Sequence, residues 1–234
     1  MARTVFEGTS ENAAETPQRS ARAVSRTRLM SNWFFGVALG ILAYYGVTDL
    51  LAERAQQVLR AESPALSALA ISHEVTTTLD FSAWKNDAAY WAALREGEAF
   101  ARLVCDAMGL DAVVVRGVAP RDLTRGPGWA PYTDVPGPTG NCGISGHRTT
   151  YGAPFRRIDR VKPGDAIVLV APYTTYRYVV ERVFVVRPDQ VEVFDTTDTP
   201  SLTLTACHPP YSARYRIVVR AKMVGASVND TTGE

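Results

Sequence analysis

The stretch Thr203-Leu204-Thr205-Ala206-Cys207-His208-Pro209-Pro210-Tyr211-Ser212-Ala213-Arg214-Tyr215-Arg216 opens as a run of strand-forming residues and delivers one cysteine to a strand end. The Pro209-Pro210 pair stops that strand, because proline has no N–H to give to a ladder. A second apolar run, Ile217-Val218-Val219, follows with Arg216 at its mouth. Two neighbouring strand ends therefore set a thiol beside a guanidinium. Upstream, Gly146-His147-Arg148 runs into a polar Thr149-Thr150-Tyr151-Gly152 turn. Cys207, His147 and Arg216 are the parts of a thiol nucleophile, its proton partner and an oxyanion donor.

Working outward, short strand-like runs recur between Gly/Pro turns: 100–105, 111–115, 142–145, 166–170, 178–186, 191–194, 202–207 and 215–224. Phe155, Ile158 and Val161 predict one helical turn ahead of the turn Pro163-Gly164-Asp165. Eight or so short strands with alternating apolar text need closure to hide their edges, so the fold class expected is all-β, a closed barrel. The segment 126–141, rich in glycine and proline, reads as a long loop.

With 234 residues, 46% hydrophobic, the chain suits one globular domain plus accessory segments. A net charge of +1 excludes a general nucleic-acid binder. The cysteines, Cys105, Cys142 and Cys207, and the histidines, His73, His147 and His208, show no zinc-ligand spacing, so neither a metal nor a cofactor is expected.

The N-terminal third reads as an anchor and a spacer. Residues 1–31 are polar and read as a disordered arm. Residues 32–52, from Trp33-Phe34-Phe35 to Leu50-Leu51-Ala52, form an apolar run with one late carboxylate, Asp49. At about 1.5 Å per residue such a run spans about 30 Å, the thickness of a hydrocarbon core. Arg19, Arg22, Arg26 and Arg28 crowd its N-terminal flank, which puts the N-terminus in the cytoplasm and the rest outside the cell. A cleaved signal peptide ending near Ala52-Glu53-Arg54-Ala55 is the competing reading, but the apolar run is longer than a signal peptide's. Residues 53–96 read as a stalk broken at Ser63-Pro64, with Leu59, Leu66, Leu69 and Ala70 along a face, and 226–234 as a flexible tail. Trp84, Tyr90 and Trp91 are expected to pack on the barrel of residues 97–225.

These motifs resemble the sortases, most closely class E, with class D next. The family's active-site strand reads T-L-x-T-C, against Thr203-Leu204-Thr205-Ala206-Cys207 here. Class E chains continue H-P-x-x-S-A-x-x-R, matched by His208-Pro209, Ser212-Ala213 and Arg216. Their histidine segment, G-H-R-T-T-Y-G-A-P-F, is matched by residues 146–155 without a change. Lys162-Pro163-Gly164-Asp165 and Gly126-Pro127-Gly128 are similar to two further turns of the family.

The resemblance implies an eight-stranded β-barrel transpeptidase that cleaves an L-P-x-T-G or L-A-x-T-G sorting signal between threonine and glycine. It would act on secreted proteins bearing such a C-terminal signal, and join them to a cell-wall precursor or pilin amine. Carried over, Cys207 is the nucleophile, His147 the general acid and base, and Arg216 the residue that holds substrate or oxyanion. Thr205, Ala206, His208, Tyr151 and Trp129 are the expected substrate-binding residues. Four departures stand out. Ala206 replaces the usual threonine, which leaves a low-activity or inactive sortase-fold scaffold as the alternative. Trp129-Ala130-Pro131 stands where class E carries H-Y-P. Cys105-Asp106 replaces an I-P pair, and Cys142 an apolar residue; the two thiols form either a disulfide or a pair of buried free cysteines. Asp80-Phe81 is at most a remnant of a pilin-class lid.

Overall fold

The structure is a computed structural model that describes residues 18–68 and 78–229, with side chains from residue 26 onward. The chain falls into two compact units, Met1–Tyr44 and Tyr45–Glu234. Helix α1 spans Gln18–Glu62 and the short α2 spans Pro64–Ala68. Among the described residues, one helix, Arg26–Glu62, is long and apolar enough to cross a membrane. Along it Trp33, Phe34, Phe35, Leu39 and Leu42 are exposed, as side chains meant for lipid would be. The helix already begins at Gln18, inside the stretch read as a disordered arm; residues 1–17 of that arm lie outside the described residues.

Eight strands close the barrel: β1 (Ala99–Cys105), β2 (Leu110–Arg116), β3 (Gly128–Trp129), β4 (Asn141–Ser145), β5 (Ala166–Val170), β6 (Thr174–Val186), β7 (Ser201–His208) and β8 (Tyr215–Val228). They run round the barrel as β1-β2-β3-β4-β7-β8-β6-β5. The pairs β2/β3 and β4/β7 are parallel and the other pairings antiparallel. Alternation along β6 sends Tyr176, Tyr178 and Val180 inward, as a two-residue period requires. Strand β8 runs to Val228, past the expected barrel end at 225, and residues 230–234 of the expected tail lie outside the described residues.

The count of eight holds, but one member differs. Val191–Phe194, expected as a strand, is a 3-10 turn. Its residues have no free ladder edge to join, because β4, β7 and β8 already pair with one another there. Instead the Val193 carbonyl accepts hydrogen bonds from the Asn141 amide, at 3.1 Å, and the Arg220 guanidinium, at 2.6 Å, so the turn covers the outer face of β4 and β7. The missing strand is β3, inside the expected loop. Two residues suffice because they bridge Val115-Arg116 of β2 to Ile144-Ser145 of β4. Gly128 permits the approach: a Cβ there would lie 2.0 Å from the Gly117 carbonyl oxygen.

The expected stalk is not a free spacer. Leu59 and Leu66 are fully buried with Ala99, Val113 and Val115, a contact worth about 1.5–3 kcal/mol for each leucine. Strand β3 is too short to reach Val113, so its outward backbone groups need another partner. The Gln56 amide supplies it, accepting from Val113 N–H at 2.8 Å and donating to Val113 C=O at 3.0 Å. Arg60 and Arg102 both bind the Asp111 carboxylate, and hold it below the usual carboxylate range. Leu69 and Ala70 lie outside the described residues.

Helix α3 (Trp84–Ala93) closes one side of the core. Trp91 stacks on Phe100 at 5.1 Å and donates to its carbonyl at 2.9 Å, while Tyr90 donates to the Ala99 carbonyl and Trp84 to that of Pro136. These three aromatics pack as expected. Asp87, fully buried, accepts from Tyr173 N–H at 3.0 Å and the Tyr176 hydroxyl at 3.1 Å; burial pushes its pKa up. Cys105 and Cys142 are free and buried, and burial pushes both thiols up, so they are protonated and inert.

Candidate active site

The parallel pairing of β4 and β7 decides where the histidine goes. Ser145 lies opposite Thr205, with their hydroxyls 2.9 Å apart, and Gly146 N–H continues the ladder to the Thr205 carbonyl at 3.0 Å. His147 is the next residue, delivered alongside Ala206 and Cys207. Gly146 is needed there, since a Cβ would sit 2.8 Å from the Phe155 ring. On the other flank of β7, antiparallel pairing sets Cys207 directly opposite Arg216 of β8. Cys207 of β7 thus stands between Arg216 of β8 and His147, two residues beyond the end of β4.

All three line one cleft of about 360 Å³, together with Thr205, Ala206 and the 186–194 segment. Cys207 is the half-buried thiol among three cysteines, the other two being inaccessible. His147 is half-buried, and desolvation lowers its pKa below the ordinary histidine value, which favours the neutral imidazole. The Arg216 guanidinium donates to the carbonyls of Ala213 and Tyr215, both at 3.2 Å, which holds it at the head of β8. A thiol, an imidazole and a fixed guanidinium around one space can run acyl transfer.

The other expected residues divide. Thr205 and Ala206 line the cleft, although the Thr205 hydroxyl is occupied by Ser145. Tyr151 does not line it; its ring lies 5.2 Å from the His147 ring, on the side of a second cavity. His208 is held by Arg148, whose guanidinium lies 2.9 Å from Nδ1, and it does not line the cleft. Trp129 points into the core, 5% exposed and stacked on Phe100 at 4.7 Å, so its expected place at the substrate is corrected. Closure of the barrel through β3 turns that side chain inward.

Sequence reasoning missed two residues. Tyr132, three positions beyond Trp129, lines the cleft, 68% exposed, with its ring edge-on to Phe194 at 6.0 Å. Its signal was its place just after Pro131 in the altered H-Y-P segment. Arg148 is 3% exposed, pairs with Asp159 at 2.9 Å and reaches the Cys207 carbonyl at 3.5 Å. It ties the histidine segment to the cysteine strand, and its signal was an arginine directly beside His147.

The chain is similar to known proteins in sequence and in fold. Sortase SrtE1 of Streptomyces coelicolor is 37% identical over 94 residues, and Sortase SrtE2 of the same organism 35% over 97. Each match covers 36% of this chain, and they span 27% and 37% of those relatives' own length. Sortase D of Bacillus subtilis is 27% identical over 114 residues, 48% of this chain and 56% of the relative. Among solved structures, Sortase E1 from Streptomyces coelicolor, determined with a tripeptide in its active site, gives a TM-score of 0.54 at 29% identity, covering 59% of this chain and 94% of that one. The Clostridium perfringens Sortase D5 transpeptidase gives 0.55 at 25% identity, covering 61% and 89%. The sortase domain family matches residues 103–224, slightly over half of the chain and the whole of the Cys207, His147 and Arg216 constellation. The chain belongs to the sortase family.

Proposed function

We propose that this protein is a membrane-anchored cysteine transpeptidase that cleaves an L-P-x-T-G or L-A-x-T-G sorting signal between threonine and glycine. The observation that carries the reading is the meeting of Cys207, His147 and Arg216 in one cleft. As the Cys207 sulfur attacks the threonine carbonyl carbon, its proton passes to the neutral His147 imidazole, and the oxyanion that forms lies toward Arg216. One oxyanion donor of this kind is worth about 3–4 kcal/mol of barrier. Collapse breaks the Thr–Gly bond; the glycine nitrogen leaves with a proton from His147, and a Cys207–threonine thioester remains. An incoming amine, of a cell-wall precursor or a pilin subunit, gives its proton to His147 and displaces the thiolate. The tripeptide bound to the Streptomyces coelicolor relative supports a peptide occupant for the cleft. Tyr132, at the cleft wall, takes over the signal-reading place expected for Trp129.

The apolar helix with its arginine-rich N-terminal flank supports a single-pass anchor, N-terminus in the cytoplasm and barrel outside. Gln56, Leu59 and Leu66 pack on the barrel, so the segment that follows the apolar run is part of the barrel's own unit. The test uses the full chain in detergent micelles with fluorogenic L-P-x-T-G and L-A-x-T-G peptides, with and without triglycine. Cleavage and a triglycine-joined product are expected, both lost in Cys207→Ala. Cleavage with no joined product would make the protein a hydrolase, and no cleavage of either peptide would leave a scaffold.

A further inference from the structure

Asp49 is the one carboxylate of the apolar run 32–52. An ionised group at the end of a lipid span is costly and, where it persists, has a partner. Here the partner belongs to the active-site loop: an Asp49 carboxylate oxygen accepts the Gly152 N–H at 2.9 Å. Its neighbours on the same side of the helix, Thr48 and Ala52, are 5% and 4% exposed. Ala52 lies against Gly152 so closely that a Cβ on the glycine would come within 3.3 Å of the alanine methyl.

The loop that Asp49 grips is the one that follows His147. Tyr151, Gly152 and Ala153 all have positive φ, at 53°, 72° and 43°. For tyrosine and alanine that conformation persists only where surrounding structure imposes it. Inside the loop, Ala153 N–H reaches the Thr150 carbonyl at 2.9 Å, and Phe155 N–H reaches the His147 carbonyl at 3.0 Å. These bonds close the loop on itself but leave its tip, Tyr151-Gly152, to be fixed from outside. The tip carries the ring that sits 5.2 Å from the His147 imidazole, inclined at 37°.

We infer that Asp49 is a positioning residue: through the Gly152 N–H it holds Tyr151 against His147, so the end of the anchor helix sets where the imidazole stands beside the Cys207 cleft. A bond from a backbone N–H to a carboxylate is charge-assisted and among the stronger ones available. Its loss frees the tip to leave its left-handed conformation, and the Tyr151 ring moves off the imidazole. Proton transfer to the leaving glycine nitrogen then slows, while the cleft that binds the peptide keeps its walls. This inference rests on the transpeptidase reading given above.

The experiment takes the full chain in detergent micelles as wild type, Asp49→Leu and Asp49→Asn. Asparagine keeps an acceptor oxygen in the same place; leucine keeps only the volume. In Asp49→Leu a kcat about tenfold lower is expected with KM within about twofold, since displacing a reacting group by about 1 Å costs up to about 10²-fold. Asp49→Asn should keep at least about half of the wild-type kcat, because a neutral hydrogen bond retains part of the charge-assisted one. In parallel, NMR of the labelled proteins follows the Gly152 amide and the His147 ring. The leucine variant should lose the downfield Gly152 shift, and its His147 titration midpoint should rise toward about 6.5 as the ring is uncovered. A leucine variant with wild-type kcat, a loss confined to KM, or equal losses in both variants would overturn the inference. Should the wild type turn over no peptide, the transpeptidase reading fails instead, and unchanged Gly152 and His147 signals in Asp49→Leu would still refute the positioning on its own.

Discussion

The Arg148–Asp159 pair offers a test whose sign is unusual. The Arg148 side chain is 2% exposed and Asp159 52% exposed, with nitrogen and oxygen 2.9 Å apart. Arg148 also reaches His208 Nδ1 at 2.9 Å and the Cys207 carbonyl at 3.5 Å, yet its Nε is buried with no partner among the described residues. The buried charge therefore depends on a carboxylate that water can reach. Two unit charges about 4 Å apart at an effective dielectric of about 20 attract by about 4 kcal/mol. Solvent at the half-exposed Asp159 screens part of that, leaving about 2 kcal/mol. For a domain of this size about 1 kcal/mol moves Tm by about 2–4 °C, so Asp159→Asn should lower Tm by about 4–8 °C. Most single changes at half-exposed positions cost far less. Arg148→Met removes the buried charge itself and leaves Asp159 in water, so it forfeits only hydrogen bonds, about 1–2 kcal/mol. The two changes then interact: on the Asp159→Asn background, Arg148→Met should be neutral or stabilising, because it deletes an uncompensated buried cation. Thermal unfolding of the wild type, both single variants and the double variant, followed by near-UV circular dichroism, reads the cycle. A Tm of Asp159→Asn within about 1 °C of wild type, or strictly additive losses, would refute this reasoning.

Three further outcomes are expected. Burial disfavours the imidazolium of His147, so its midpoint in imidazole NMR should lie below about 6.5, the unfolded value; the stability tied to the neutral ring is present above that pH and lost as pH falls through the window between the unfolded and folded midpoints, and a midpoint above 6.5 would contradict the assigned environment. Leu59→Ala should cost about 2–5 kcal/mol in denaturant unfolding followed by barrel fluorescence, because Leu59 fills a buried cluster with Val113 and Val115; an unchanged midpoint would mean that the helix hangs free of the barrel. Alkylation without reductant should modify Cys207 in the folded protein and all three cysteines after denaturation, as expected of two buried free thiols; a mass corresponding to one modified cysteine in the denatured, unreduced protein would establish a Cys105–Cys142 bond.

Much of the barrel was legible locally. Runs such as 166–170 and 202–207 are strands within a residue or so of their expected ends, because alternating apolar text with Gly/Pro punctuation has few other stable forms. Two segments were not legible, for opposite reasons. Val191–Phe194 has strand-forming residues but no edge to pair with, and so becomes a covering turn. Gly128-Trp129 lacks strand character but fills the one gap through which the barrel closes. Pairing across a sheet is a property of neighbours that lie far away in the chain, and such context overrides propensity.

The sequence by itself singled out the candidates for the chemistry, one cysteine, one histidine and one arginine, and an apolar run of membrane-spanning length ahead of them. Those follow from residue type and short spacing. Only the tertiary structure decided what surrounds them. It turned Trp129 into the core and brought Tyr132 to the cleft, and it made Arg148 the tie between two strands. It also carried Asp49 from the end of an apolar helix to the loop beside His147, 103 positions along the chain from its bonding partner. The physical reason is that burial and hydrogen-bond partnership are set by which faces meet when the barrel closes, and nothing local in the chain encodes that meeting.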